Sequence, residues 1–578
     1  MVQMLIEECV EQSILKALDG ASNKEVMNTL LEHTDQRFRL FFMLGRWKEL
    51  NDTLDEEQDD YVDADSDIEQ DEVSESDPFR DLHLMNKLSG LLTKIRELAK
   101  TIRHHLQSDF EESDVNNYNI SVDYQEAASG LINQSHLFHE IVASIMSDVK
   151  ECFSYIQNGV LHCDQVGLPR SWSFSTPNRS EFLKSLRTFT GNNHHFYGRL
   201  LTPLVAEIKI SGPFFVGDQR EPQNNLLNLI DTLGIGHTAK HSSSESTSHI
   251  ISELDRLDGI LIVDNATQAT RQDFIDLLSV IATNGHLEKV LIAFTHMDQV
   301  VGPNFADSED RKRHVFRSLQ SAVASLKETN NLGVIRDFEK ILETRTFFFG
   351  NLHESSKKHA GSKNQQLEKL FLAMRKASRR ADSINIPIPV YSLVDFEMCI
   401  EESTIILLKK WKSRLGLDYE EGIRKEHWAT IKALCRRIGN KMCDSYKNLD
   451  PSGDFSRVLM TGISNRLENP ISWISGSDDY VGQNVAINNL RQRISPGIQG
   501  LSRRRIISDQ LADWKEALEI NGSGSSIRRA CQMDFMFHQA APSILSPKSR
   551  ISSSLRAEVI KIIETELTRV GGVLKTRA

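Results

Sequence analysis

A chain of 578 residues, 39% hydrophobic and 26% charged, is too long for one core and too evenly mixed for a fibrous or wholly disordered protein, so two to four globular domains are expected. No run reaches the eighteen or so apolar residues a membrane helix needs, and the opening MVQMLIEECVEQ lacks the basic patch and apolar core of a secretory signal, which together point to a cytoplasmic protein with no membrane span. The net charge of −12 is concentrated: residues 52–77 carry 14 acids and no Lys or Arg, leaving 68 basic against 66 acidic residues elsewhere, so no broad acidic surface is implied.

Residues 1–50 read as a helical segment, with Leu5, Cys9, Ile14 and Leu15 near helical spacing and an apolar cluster at Phe38, Leu40, Phe41 and Leu44. The acidic stretch that follows, 51–78, cannot bury enough apolar surface to offset its ordering entropy and is expected to be disordered. Its run Asp63, Asp65, Asp67, Glu69, Asp71 imitates a calcium loop, but Ile68 and Ser74 stand where an EF-hand needs glycine and glutamate; a solvated tract is the better reading. Helical periodicity returns over 79–199, as in Leu88, Leu92, Ile95 and Leu98, interrupted by a polar loop at 164–180 that holds Pro169 and Pro177.

The pattern changes over 200–385. Residues 205–210 alternate as a strand closed by Ser211-Gly212-Pro213, and 225–230, 259–263, 290–294 and 346–349 are further strand candidates. Helical stretches fall around 247–256, 271–284 and 311–343. Apolar strands alternating with helices predict an α/β domain with a mostly parallel sheet, flanked by large α-helical regions. From 386 to 578 a C-terminal helical domain is expected, with amphipathic stretches at 405–411, 427–442, 456–467 and 555–570. The basic clusters Arg436-Arg437, Arg503-Arg504-Arg505 and Arg528-Arg529 read as solvated faces, because no nucleic-acid reading motif accompanies them. Seven cysteines never form a CxxC pair, which suits reduced thiols better than a disulfide frame or a zinc site.

Chemistry concentrates at two strand ends. The candidate strand 225–230 runs into Asp231-Thr232-Leu233-Gly234. A carboxylate there can reach a magnesium ion through water, and a glycine three residues later lets a backbone N–H approach a terminal phosphate. The strand 259–263 leads into Asp264-Asn265, read as a turn and cap. The strand 290–294 leads into Thr295-His296-Met297-Asp298. The Asp298 carboxylate can accept from both the ring N–H and the exocyclic amine of guanine, a pair that adenine does not present.

These motifs, in this order over residues 200–351, resemble the P-loop GTPase superfamily, in particular its translation-factor and dynamin-like large GTPases, which place DTxG after one strand and [NT]KxD after a later one. The resemblance implies a GTP-binding switch that uses Mg2+. Asp231 and Gly234 would sense metal and terminal phosphate, and Asp298, with Thr295 beside it, would read guanine. His296 would stack on the base where the family has lysine, and Gly350 would lie in the last nucleotide loop. Thr202, with Thr188 and Thr190 as rivals, would be the magnesium-binding threonine. His237 would stand in for the water-orienting residue, whose usual place Ile235 occupies, and the segment 242–246 would be the moving part. The chain departs from the family in having no GxxxxGK[ST]; the nearest approach, Gly212 to Gly217, is followed by Asp218-Gln219. Three readings therefore stand: the C-terminal part of a longer GTPase whose loop lies upstream, a pseudo-GTPase scaffold that binds no nucleotide, or a nucleic-acid-binding protein acting through its C-terminal basic helices, which is the weakest. In the first, the helical regions would carry the switch to a protein partner or to another copy.

Overall fold

The structure, a computed structural model, describes residues 2–32, 38–47, 78–107, 118–164, 169–192, 196–212, 227–231, 254, 257–268, 272–302, 307–325, 338, 341–350, 360–377, 386–446, 449–474, 480–522, 524–542 and 550–576. The chain divides into two compact units, Met1–Leu233 with Ile520–Ser525, and Gly234–Glu519 with Ser526–Ala578. This boundary falls inside the stretch expected to be one sheet domain, between its second and third strands.

The first unit is built on helices α1 (Val2–Leu18), α2 (Asn23–Leu31), α3 (Phe41–Leu44), α4 (Pro78–Leu106), α5 (Tyr118–Gln134) and α6 (His136–Cys152). Ser22 starts α2 with a capping box: its hydroxyl accepts from the Glu25 N–H while the Glu25 carboxylate accepts from the Ser22 N–H. Ile6, Val10, Ile14, Leu30, Ile95, Ile132, Ile141 and Ile145 fill one shared core, as the apolar spacing of 1–50 and 79–161 predicts. The polar stretch read as a loop instead holds half of a hairpin, β1 (Val160–Cys163) with β2 (Pro169–Ser173), antiparallel. Its strands are largely exposed, so they carry no apolar alternation to read, and Pro169 is tolerated at a strand's first position. Helix α7 (Arg179–Thr190) follows, capped by Asn178, whose side-chain Oδ1 accepts from the Ser180 N–H.

Strands β3 (Ile208–Gly212) and β4 (Leu227–Asp231) then pair antiparallel, with Ile208 opposite Asp231. The expectation that Asp231 ends a strand holds, but the expectation that this strand belongs to the parallel sheet does not. Among the described residues β4 is laddered to β3 alone. Two consecutive strands with no helical periodicity between them pair antiparallel, because a parallel pair needs a crossover.

In the second unit, β5 (Ile260–Asn265), β6 (Val290–Thr295) and β7 (Thr346–Phe348) form a parallel sheet in that order. Helix α8 (Gln272–Thr283) joins β5 to β6, and α9 (Ser308–Ser325) follows β6. The central strand is buried along Val290–Phe294, which is why it reads as a continuous apolar run. Period-two alternation sorts its side chains. Val290, Ile292 and Phe294 pack against Phe274, Ile281, Val315 and Leu319 of α8 and α9. Leu291 and Ala293 pack with Leu370 of α10 (Ala360–Ala377).

The remainder of the unit is a helical bundle. It comprises α11 (Leu393–Arg414), α12 (Trp428–Gly439), α13 (Pro451–Leu467), α14 (Tyr480–Arg503), a π-helical turn at Arg504–Ser508, α15 (Leu511–Glu519), α16 (Ser525–Ala540) and α17 (Arg550–Arg569). A small sheet ties its ends: β8 (Pro389–Ser392) lies between β9 (Ser472–Trp473) and β10 (Val573–Lys575). Trp411, Phe396, Phe455, Leu490, Ile494, Trp514 and Phe537 anchor the core. A cluster of charges is built into it around one carboxylate. The Asp454 side chain is 0% exposed and takes Lys410 at 2.8 Å, Arg414 at 3.0 Å and Arg457 at 3.4 Å.

The parallel sheet is fastened to this bundle through the end of α8. Gly285, at φ +81°, presents its carbonyl to Gln492 Nε2 at 2.6 Å, and Asn284 Oδ1 accepts from the Ser495 hydroxyl. A Cβ on Gly285 would stand 2.5 Å from the Asn488 carbonyl oxygen, so only glycine allows both the left-handed turn and the close approach.

Candidate functional site

All three parallel strands end at one edge of their sheet, and in register Asn265 stands beside Thr295 and Phe348 beside Phe294. Main-chain bonds continue past the ladder. The Phe349 N–H donates to the Phe294 carbonyl (2.7 Å), the Met297 N–H to the Phe349 carbonyl (3.1 Å) and the Ala266 N–H to the Thr295 carbonyl (3.0 Å). These bonds fix the residues on either side of His296, which is pushed into the left-handed region at φ +58°. Non-glycine residues rarely take that conformation, although histidine is among those enriched there. Its imidazole is exposed, and its Nδ1 lies 2.9 Å from the Thr295 hydroxyl, which donates in turn to the Asp264 carbonyl at 3.3 Å.

Asp298 is half-buried. Its backbone carbonyl accepts from the Arg311 guanidinium at 3.5 Å, and the Gln299 N–H closes a turn onto the His296 carbonyl at 3.0 Å. Gly350 sits directly against this loop. A Cβ there would stand 3.1 Å from the Asp298 N and 3.2 Å from its Oδ1. Any larger residue would therefore press on the carboxylate. The sequence offered Gly350 by position alone; the contact with Asp298 is new. Asp264-Asn265 behaves as a turn: Asn265 Oδ1 accepts from the Thr267 N–H (3.0 Å) and hydroxyl (2.9 Å).

Thr295, His296, Asp298 and Gly350 are thus brought together on one rim. Asp231 closes β4 in the first unit, and Thr202 lies in that same unit, in a 3-10 turn where its hydroxyl donates to the Gly191 carbonyl at 2.8 Å. Thr190 likewise donates to the Leu186 carbonyl. Gly234, Ile235, His237 and the segment 242–246 lie outside the described residues, as does the acidic tract. Among the described residues no group of three or more His, Cys, Asp or Glu is placed to hold a metal ion, and no helix is long and apolar enough to cross a membrane.

Each basic cluster gives one arginine to the bundle's interior. Arg437 is buried over the Tyr446 ring, Arg505 is buried and donates to the Ala540 carbonyl, and Arg529 is buried and donates to the Ala517 carbonyl. Arg503 pairs with Asp444 and Arg504 with Glu558. These arginines read as helix-to-helix fasteners, which adjacency in sequence does not reveal.

Comparison with protein-family models, with characterised proteins and with solved structures returned no match.

Proposed function

We propose that the protein is a GTP-binding switch of the large-GTPase kind, and that the parallel sheet of the second unit carries the base-reading part of its site. The observation that carries this reading is the convergence of two loops from adjacent strands, with Gly350 bare against the Asp298 carboxylate. Open α/β sheets hold their ligands outside the carboxyl ends of their strands, and this pair lies there. In the proposed site Asp298 accepts from the guanine ring N–H and amine, Thr295 steadies the loop, and His296 offers its exposed imidazole to the base. The metal, phosphate and water roles that the resemblance gives to Asp231, Gly234 and His237 rest on the sequence motif alone. Hydrolysis would need a phosphate-cradling loop, which no GxxxxGK[ST] in this sequence supplies.

The seating of Asn284 and Gly285 on α14 supplies the route outward. A displacement of α8 would move the bundle with it, and through the bundle a protein partner or a second copy.

The test is equilibrium binding of a fluorescent GTP analogue to the full chain, with unlabelled GTP, GDP and ATP as competitors. The proposal expects displacement by GTP and GDP and none by ATP at the same concentration. A second reading, a scaffold that keeps the sheet but binds no nucleotide, is favoured by the missing phosphate loop and by His296 in place of lysine. Absence of saturable binding to the full chain would select it.

A further inference from the structure

Helices α14 and α17 leave a cavity of about 580 Å³ between them, lined by Arg493, Arg504, Lys561 and Arg569 with Glu558 and Glu566. That volume lies within the range of binding clefts. Its floor is Pro496, Gly497, Gly500, Leu501 and Ile562, an apolar strip with little side chain above it. Gly497 is where the helices touch, since a Cβ there would come within 2.7 Å of Ile562 Cγ2. Gly500 opens on space, with nothing within 4 Å of where its Cβ would stand.

The rim is electrically unbalanced. Arg504 pairs with Glu558, and Arg569 with Glu566 at 2.6 Å. Arg493 and Lys561 are exposed and have no acidic partner among the described residues, so two cations are left over. The contacts of Arg504 with Glu558 and of Gly497 with Ile562 run the helices antiparallel, so the charges are spread along the groove. Eleven residues from Arg493 to Arg504, at the helical rise, make it about 16 Å long. The helix that forms one wall contains Pro496, which has no N–H to give its fourth preceding carbonyl, and ends in the π-helical turn Arg504–Ser508. Such turns carry a conformational cost and occur often at functional sites.

We infer that this groove is a docking site for an acidic amphipathic helix of a partner protein. An apolar floor flanked by two cations that lack an acidic partner, Arg493 and Lys561, matches a helix whose apolar stripe is flanked by carboxylates. A compact polyphosphate would meet one end of the groove and leave the floor uncovered. The interaction is independent of the nucleotide site.

The probe is a fluorescein-labelled synthetic helix of about 16 residues, roughly 24 Å and so long enough to overhang the groove, with leucines along one stripe and glutamates beside it, titrated with the full chain and read by anisotropy. Saturable binding that weakens with added salt is expected. The charge-reversed double variant Arg493→Glu with Lys561→Glu should lose at least tenfold in affinity. Gly500→Leu, which fills the groove without entering the core, should lose binding with a circular dichroism melt no lower than that of the wild type. The inference is overturned if the wild type shows no saturable binding, if both variants bind as it does, or if inositol hexakisphosphate binds at Arg493 and Lys561 while the peptide does not.

Discussion

Replacing Asp454 with asparagine tests the bundle's electrostatics directly. The carboxylate is fully buried between α11 and α13, yet three cations converge on it, and they are not equally wet. Lys410 and Arg457 keep 22% and 26% of their side-chain surface in solvent, whereas Arg414 keeps 5%. Burial alone would raise the Asp454 pKa, but Lys410, then Arg414 and Arg457, together hold it below the ordinary aspartate value. Burial also presses Lys410 below the usual lysine range despite its partner. In Asp454→Asn the loss falls mainly on Arg414, which cannot reach water. Breaking a buried pair by removing one partner costs about 3–5 kcal/mol, and for a unit of this size that is a fall in Tm of roughly 4–7 °C. Differential scanning calorimetry and urea denaturation give the number. The pH dependence adds a check. A carboxylate whose folded pKa is depressed stabilises above its unfolded value of 3.8, and that contribution is lost as pH falls through the folded pKa. The gap between wild type and Asp454→Asn should be full at pH 6 and close below pH 3.8. A variant within about 1 kcal/mol of wild type at pH 6 would show that the cations are hydrated and the account of this core wrong.

Other outcomes follow from single positions. Gly500→Ala, in a helix with open space at the new methyl, should raise stability by roughly 0.5–1 kcal/mol by restricting the unfolded chain, read as a higher urea midpoint. Gly285→Ala should have the opposite sign, costing roughly 2 kcal/mol or more, because it combines positive φ with a clash against the Asn488 carbonyl; an unchanged melt would deny that this turn fastens sheet to bundle. The Cys399 and Cys435 thiols, pushed by burial up to about 12, should resist a thiol reagent at pH 8 in the native protein, while the exposed Cys163 and Cys531 react first. Mass spectrometry of the labelled peptides separates them.

Much of the fold was legible because burial and periodicity coincide. The run 290–294 read as a strand since both faces of β6 are covered, and the N-terminal helices read as helices because their buried residues recur every three or four positions. The hairpin β1–β2 was invisible for the opposite reason, being exposed on both strands. Strand existence was readable at 208–212 and 227–231, but partner choice was not, since pairing is decided by what lies between strands rather than by the strands themselves. At the candidate site, Asp298 and Thr295 were legible from their spacing after an apolar run, whereas the closeness of Gly350 to Asp298 depends on parallel register across residues about fifty apart in sequence. The groove between α14 and α17 left no local trace, because Arg493 and Lys561 come to line one groove only through helix packing. Nothing local to Asp454 in the sequence announces the three cations from two helices that surround it.

The most direct test of the central proposal is the nucleotide preference of Asp298→Asn. Xanthine carries a carbonyl where guanine carries its amine, so an amide at residue 298 donates where the carboxylate accepted. The account predicts that Asp298→Asn loses GTP affinity by about a hundredfold, on the order of 3 kcal/mol, and gains affinity for XTP, with its thermal melt unchanged. Equal affinity of the variant and the wild type for both nucleotides would contradict it.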